Sequence, residues 1–346
     1  MTRRGDFRRL FRESFHEDDS WLEWYMERVY REDDLLTLDS VATGKVSTML
    51  MMSRYDFMYQ GRPVPSAYIS CVATARAERG QGLMHRLMVR ALNACAERGD
   101  AVASLIPAES RLYYLYEDFG FATVYYVDEL RYTSLHVFQA AEEFAAVDAG
   151  YAMFARLEAR RPCSVRHSEA DFACIIDDLR LSGGFAVAVS DGGDREAMVF
   201  VDNGSDAVVT DLLATDGRAM EAVLAVVRAR IGEKSLMVMG EPHDRDAVLH
   251  RRGMMRILNV ETMLGVLAAA HPETDQVIRV HDAVIESNNS VFTLRKGNCD
   301  RTPDTMRHIT LDVGVDVLAK VLFSDSRIGG VFGIPSVRPF ISLMLD

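Results

Sequence analysis

The sequence predicts a mixed α+β protein built of more than one domain, and three observations carry that expectation. Its 346 residues exceed the length at which single hydrophobic cores stop growing. Apolar residues make up 49% and charged residues 26%, a globular balance that excludes disordered and collagen-like chains. The apolar periodicity runs helix, antiparallel strands, helix, strand and short helix, repeats that order in weaker form, and ends in a small α+β module. These breaks divide the chain into domains at 1–134, 135–272 and 273–346.

In the first unit Phe7, Leu10, Phe11, Phe15, Leu22, Tyr25, Met26 and Val29 recur three and four residues apart, so 7–31 reads as a helix pair or one broken helix. Strand-like runs follow at 35–41, 45–55, 56–59 and 67–73, with turn signals at Thr43-Gly44 and Gln60-Gly61-Arg62-Pro63. The span 83–98 sets Met84, Leu87, Met88, Ala91 and Cys95 on one helical stripe, and Gly99 stops it. A buried strand at 101–106, a short helix at 110–118 and a strand pair around 122–132 complete the unit. The second unit predicts helices at 137–160 and 169–180, strands at 185–189, 196–202 and 207–213, a helix at 217–230, a strand at 235–239 and a short helix over 246–254. The closing module reads as strands at 277–283 and 291–294, a turn at Asn288-Asn289, and a helix around 315–323.

Lys and Arg number 39 against 51 Asp and Glu, and the net charge of -12 makes nucleic acid and anionic membranes poor partners while favouring cations. The longest apolar stretches, such as 315–323, fall short of the ~20 residues that cross a bilayer. Residues 1–15 mix arginines with Asp6 and Glu13 and lack a signal-peptide apolar run. Cys71, Cys95, Cys163, Cys174 and Cys299 are scattered, without metal-site or disulfide-framework spacing. The expectation is a cytoplasmic protein with no metal.

Chemistry concentrates in Cys71-Val72-Ala73-Thr74-Ala75-Arg76-Ala77-Glu78-Arg79-Gly80-Gln81-Gly82-Leu83-Met84, a strand that runs through a glycine-bearing loop into a helix. The first N–H groups of such a helix lack intrahelical acceptors, and glycine lets an anion approach the backbone, so a pyrophosphate suits the turn. It is neither a P-loop nor a Rossmann fingerprint, because no Gly-Lys-Ser/Thr follows and the glycine spacing differs. The second unit has Ala214-Thr215-Asp216-Gly217 in the corresponding place, with a carboxylate where a phosphate would sit. Leu249 stands four residues before Gly253-Met254, where the first unit has Tyr116 before Gly120-Phe121. The second unit therefore reads as scaffold.

Arg79-x-x-Gly82 after that strand, followed by Tyr116-Glu117-Asp118-Phe119-Gly120-Phe121, resembles the GNAT superfamily of N-acetyltransferases. Met84 departs from the small residue usual at the end of the loop motif, and Arg-Gly-x-Gly-Leu-Met is similar to the form found in Eis-type acetyltransferases. The closing module, Val277-Ile278-Arg279-Val280-His281-Asp282 with Asn288-Asn289-Ser290-Val291-Phe292-Thr293-Leu294, resembles the sterol-carrier-protein-like domain of those enzymes. The resemblance implies two tandem GNAT-like mixed sheets with flanking helices, the first catalytic and the second degenerate, plus that C-terminal domain. It also implies acetyl-CoA as co-substrate, a homo-oligomer (a hexamer), and transfer to a primary amine: an aminoglycoside, a polyamine or a protein lysine.

By the same resemblance Val72, Ala73 and Thr74 pair with the pantetheine arm. Gly80, Gln81, Gly82, Leu83, Met84 and His85 embrace the pyrophosphate, Arg79 adds charge, and Ser110 and Arg111 lie near the thioester. Transfer from a thioester leaves a thiolate that must be protonated, and Tyr116 matches the GNAT acid, with Tyr113 and Tyr114 as rivals. An amine of pKa near ~10.4 must also lose a proton. Eis-type enzymes use the chain's own C-terminal carboxylate as that base, which here belongs to Asp346 behind the apolar run Pro339-Phe340-Ile341-Ser342-Leu343-Met344-Leu345. The Asp346 side chain supplies a second carboxylate beside it. Trp21, Trp24 and Tyr25, next to Glu17, Asp18, Asp19 and Glu23, are either the core face of the first helices or a wall that binds ammonium. Met49, Met51, Met52 and Met58 read first as core. A noncatalytic acetyl-CoA-sensing or lipid-binding module on the same folds is the alternative, and it has no need of Tyr116 or of an intact C-terminus.

Overall fold

The computed structural model describes residues 2–345 except 16, 42, 140, 243–247, 303–306 and 325. Two helices, α1 (Arg3–Ser14) and α2 (Asp19–Arg28), precede β1 (Leu35–Asp39), β2 (Val46–Tyr59) and β3 (Arg62–Thr74). Gln60 and Gly61 both take positive φ, the geometry a tight hairpin needs, so 45–55 and 56–59 form one long strand returning through β3. Then come α3 (Leu83–Glu97), β4 (Val102–Leu105), α4 (Ser110–Glu117) and β5 (Ala122–Tyr132). The second unit supplies β6 (Ala145–Val147), α5 (Tyr151–Glu158), β7 (Ser164–Arg166), α6 (Glu169–Leu181), β8 (Phe185–Ser190), β9 (Glu196–Asn203), β10 (Ala207–Ala214), α7 (Gly217–Ile231), β11 (Leu236–Gly240) and β12 (His250–Ile257). The helix expected over 137–160 is thus only α5, begun after Gly150, with a short edge strand before it. The last part holds α8 (Val260–Ala270), β13 (Gln276–His281), β14 (Ser290–Arg295), β15 (Asn298–Thr302), β16 (Leu311–Gly314), α9 (Val315–Leu322) and α10 (Ser326–Val331).

The two units do not keep separate sheets. Twelve strands form one sheet in the order β1-β2-β3-β4-β12-β5-β11-β10-β9-β8-β6, with β7 added to β2. The expected strand pair around 122–132 is the single strand β5, whose first half pairs with β12 and whose second half pairs with β11. The described part of the helix expected at 246–254 is β12, which pairs with β4 from Met254–Leu105 to Ile257–Val102. Gly253 therefore lies inside a strand, against Tyr125, and is no counterpart of Gly120 at a helix end. Helical spacing misled there because β12 runs from exposed His250 and Arg251 to buried Met254 and beyond, and so carries no strict alternation.

Apolar stripes explain the layers. Leu87, Met88, Ala91, Leu92 and Cys95 of α3 pack on Ala67, Ile69, Ala103 and Leu105 on one face of the sheet. Phe7, Leu10, Phe11 and Tyr25 cover Met49, Met51, Cys71 and Ala73 on the other, so these methionines and Tyr25 are core. The C-terminal sheet, β15-β14-β13-β16, shares one core with the large sheet through Phe57 and Tyr59 of the first unit and Met255 and Ile257 of β12. No helix among the described residues is long and apolar enough to cross a membrane.

Arg256 of β12 is 0% exposed and grips Asp282, just after β13, with bonds of 2.6 and 2.7 Å. Asn288 adds a bond to the same carboxylate at 2.8 Å. Gly120 has a φ of +77°, and a Cβ there would lie 3.1 Å from the guanidinium, so this position needs glycine twice over. Replacing Arg256 by Ala strands the Asp282 charge in the interior. We expect a loss of about 3–5 kcal/mol in chemical denaturation, with the first unit and the C-terminal module weakened together.

Candidate active site

Strands β3 and β4 pair in parallel only from Ser66–Val102 to Tyr68–Ser104. Beyond that point β3 carries a bulge: Cys71 and Val72 stand together between the Met51–Ser70 and Met49–Ala73 pairs, opposite Leu50. Cys71 takes a φ of 51°, left-handed and strained for a residue with a side chain, and its sulfur lies 3.6 Å from the buried Tyr25 hydroxyl. A bulge of this kind bends its strand, so β3, already unpaired from β4 after Tyr68, would part from it as a slot toward the glycine loop. Along it the Ala73 carbonyl already accepts the Thr48 hydroxyl at 2.8 Å and the Thr74 carbonyl accepts Arg79 Nε at 3.0 Å. Among the described residues no side chain bonds to the Val72 carbonyl.

The slot leads into the glycine loop. Arg76 begins a short turn whose N–H is held by Glu13 of α1. Gly80 and Gly82 have φ of 78° and 71°, and nothing lies within 4 Å of where a Cβ would stand on either. Gly82 is the N-cap of α3, and no side chain caps the helix. Bare N–H groups, open space and a helix dipole thus converge on Gly82, Leu83 and Met84, the requirements of an anion cradle. Arg79 is exposed and clamps the loop to the end of β3, while His85, exposed, packs its ring 4.9 Å from Phe119.

On α4, Tyr116 is 7% exposed, meets Phe121 edge-on at 5.9 Å, and its hydroxyl makes no hydrogen bond among the described residues. Burial pushes its phenol up to about 12. Tyr113 is also buried, under the Arg251 guanidinium at 5.6 Å, whereas Tyr114 is 66% exposed. Ser110 and Arg111 open the same helix at the surface, with Arg111 engaged by Glu109 at 2.6 Å. Asp346 lies outside the described residues. The run before it is buried: Phe340, Ile341, Ser342 and Leu345 are each under 9% exposed.

The second unit repeats the bulge but not the cradle. Thr210 is the extra residue between the Val209–Val201 and Asp211–Phe200 pairs of β10 and β9. At the head of α7, the Asp216 carboxylate accepts the Ala219 N–H at 2.9 Å and so occupies the place an anion would take.

A cavity of about 320 Å³ lies among both units and the tail, lined by Glu17, Trp21, Asp178, Asp202, Arg252 and Leu343 to Leu345. The Trp21 indole donates to Asp178 at 2.7 Å. Burial raises the Asp178 carboxyl above its ordinary value, and that indole bond opposes the rise. The sequence marked Glu17 and Trp21. Asp178, Asp202 and Arg252 reach the cavity from elements far along the chain, and no local signal marks them.

Residues 3–124, which hold the slot, the loop and Tyr116, match the family model described as Acetyltransferase (GNAT) domain. Residues 3–124 are a GNAT acetyltransferase domain. Over 63 residues, 18% of this chain, the sequence is 46% identical to an uncharacterized N-acetyltransferase of Streptomyces avermitilis, and the match spans 15% of that relative's length. The whole fold is similar to a GCN5-related N-acetyltransferase from Kribbella flavida, with TM-score 0.75 and 19% identity over 99% of this chain and 95% of that one. Eis1 from Mycobacterium abscessus gives 0.71 and 18% over 93% and 88%, and a probable N-acyltransferase from Enterococcus faecalis gives 0.76 and 14% over 98% and 96%. At these identities the likeness establishes the shared fold.

Because the Tyr116 pKa is raised in the folded GNAT domain, the phenol favours folding below the unfolded value near ~10 and loses that contribution as pH rises toward about 12. Urea midpoints measured from pH 9.5 to 11.5 should fall less steeply for Tyr116→Phe than for the parent chain.

Proposed function

We propose that the GNAT domain transfers an acetyl group from acetyl-CoA to a primary amine of a cationic acceptor, an aminoglycoside, a polyamine or a lysine side chain. The observation that carries this reading is the pairing of a bulge at Cys71 and Val72 on β3 with the uncapped N-terminus of α3 at Gly82, ten residues on. Val72 and the neighbouring backbone would hold the pantetheine arm, and the N–H groups from Gly80 to His85 the pyrophosphate. In the transfer the amine nitrogen bonds to the acetyl carbon as the carbon–sulfur bond breaks. Tyr116 gives its proton to the departing sulfur, and the carboxylate at Asp346 takes one from the amine. A phenol held protonated by burial suits the first role. Glu17, Asp178 and Asp202 around Trp21 support a cationic acceptor, since carboxylates and an indole face both attract ammonium.

Titration calorimetry tests the coenzyme site. One acetyl-CoA should bind per chain, and Gly82→Glu, which puts a side chain and a negative charge into the cradle, should abolish binding. Two equivalent sites per chain would assign coenzyme to the Asp216 loop as well and overturn this reading.

Kinetics with a panel of polyamines, aminoglycosides and lysine peptides test the proton transfers. Tyr116→Phe should lower turnover on the order of 10²-fold or more with coenzyme affinity retained. Appending residues after Asp346 should cost ~10²-fold or more, and Asp346→Ala much less, if the main-chain carboxylate is the base. Full activity of the extended chain would remove that base from the mechanism.

A further inference from the structure

In the second unit the parallel pairing of β10 and β11 stops at Val209–Val238, and the strands then diverge as β3 and β4 do. Here one side chain crosses between the strands, on the wall of a cavity of about 410 Å³ that Leu212 to Gly217 and Glu241 also line. Arg161, 8% exposed, meets both oxygens of Asp211 at 2.9 and 2.6 Å, the Leu212 carbonyl at 3.3 Å, and Glu241 beyond the end of β11 at 2.5 Å. A guanidinium cannot lose its proton at any ordinary pH, so the bridge between the strands is permanent. Burial alone would raise the Asp211 carboxyl, but the Arg161 charge and hydrogen bonds outweigh it and hold the group below the ordinary carboxylate range.

The segment before Asp346 lies on this bridge. The Ser342 hydroxyl donates to Asp211 Oδ2 at 2.7 Å, and the Phe340 ring lies against the Arg161 guanidinium at 4.2 Å. The Phe340 N–H donates to the Cys163 carbonyl at 2.9 Å. Leu343 then takes a left-handed φ of 56°, and the turn delivers Leu345 into a cluster with Phe154, Phe172, Ile175 and Phe200. A buried ion pair is a poor device for stability alone, because well-packed apolar residues of the same volume serve as well or better. It does fix a register: beside the two Arg161 bonds, the Ser342 hydroxyl makes the one other hydrogen bond to the Asp211 carboxylate among the described residues.

We infer that the diverging strands of the second unit are a dock for the segment 340–345. Arg161 and Asp211 are positioning residues for acetyl transfer. They act through that segment, on the carboxylate at Asp346 and on the cavity wall formed by Leu343 to Leu345. The inference rests on the base proposed above, and its test separates the two.

Ser342→Ala removes one hydrogen bond without stranding a charge, and Ser342→Thr restores a hydroxyl. Hydrogen exchange followed by mass spectrometry should show amides 340–345 exchanging about tenfold or more faster in Ser342→Ala. Its kcat/KM for the amine should fall about tenfold while the KM for acetyl-CoA stays put, and Ser342→Thr should recover both. Unchanged exchange in Ser342→Ala overturns the dock. Faster exchange with unchanged amine kinetics overturns the positioning role. If the chain extended beyond Asp346 is fully active, the base assignment falls, and the exchange result still decides the dock. Asp211→Asn, which keeps the shape and drops the charge, should quicken exchange at least as much as Ser342→Ala, and protection equal to the parent chain would again overturn the dock.

Discussion

Everything near the slot depends on β12, a strand of the second unit lodged between two strands of the first. Its Arg256 is wholly buried, and a charge in that position is tolerable only with Asp282 and Asn288 around it. The pair therefore ties the first sheet to the C-terminal module through a contact that cannot loosen partway. Gly120 is bound into the same arrangement, because the guanidinium passes where a Cβ would stand. The glycine of the Tyr-x-x-x-Gly-Phe element thus has a packing reason, and it sets the turn that follows Tyr116. A strand from one unit and a loop from the third region fix the end of the helix that carries the candidate acid.

The two units use the same backbone device to different ends. Each has a bulge on the strand before its glycine loop, and in each the parallel partner strand drops away after three residue pairs. In the first, no side chain caps α3 and the space beside Gly80 and Gly82 is open. In the second, Asp216 caps α7 and Arg161 crosses the gap. A bulge alone therefore makes a slot, and the residues around it decide whether the slot receives an anion or the protein's own side chains.

How much of this the sequence disclosed follows from how local each feature is. The loop from Arg79 to Met84 and its helix are contiguous, so residue type and spacing were sufficient to locate them, and Asp216 was legible for the same reason. The left-handed Cys71 was not, because a bulge depends on register with Leu50, 21 residues earlier on another strand. The exchange of β12 was invisible to periodicity, since an exposed first part followed by a fully buried second part shows none of the alternation that marks a half-exposed strand. The roles of Ser110 and Arg111 came by resemblance alone, and both lie at the surface.

The cavity beside Trp21 shows why the coenzyme side is easier to read than the acceptor side. Phosphate binding asks for backbone N–H groups, which one loop and one helix supply together. Recognition of the amine proposed above would ask for carboxylates and an aromatic face around a volume, and the cavity draws such groups from Glu17 and Trp21 in the first unit and Asp178 and Asp202 in the second, beside the run Leu343 to Leu345. The second unit, though its loop is capped, contributes one wall of the cavity, the strand that completes the first sheet, and the surface on which the final segment rests.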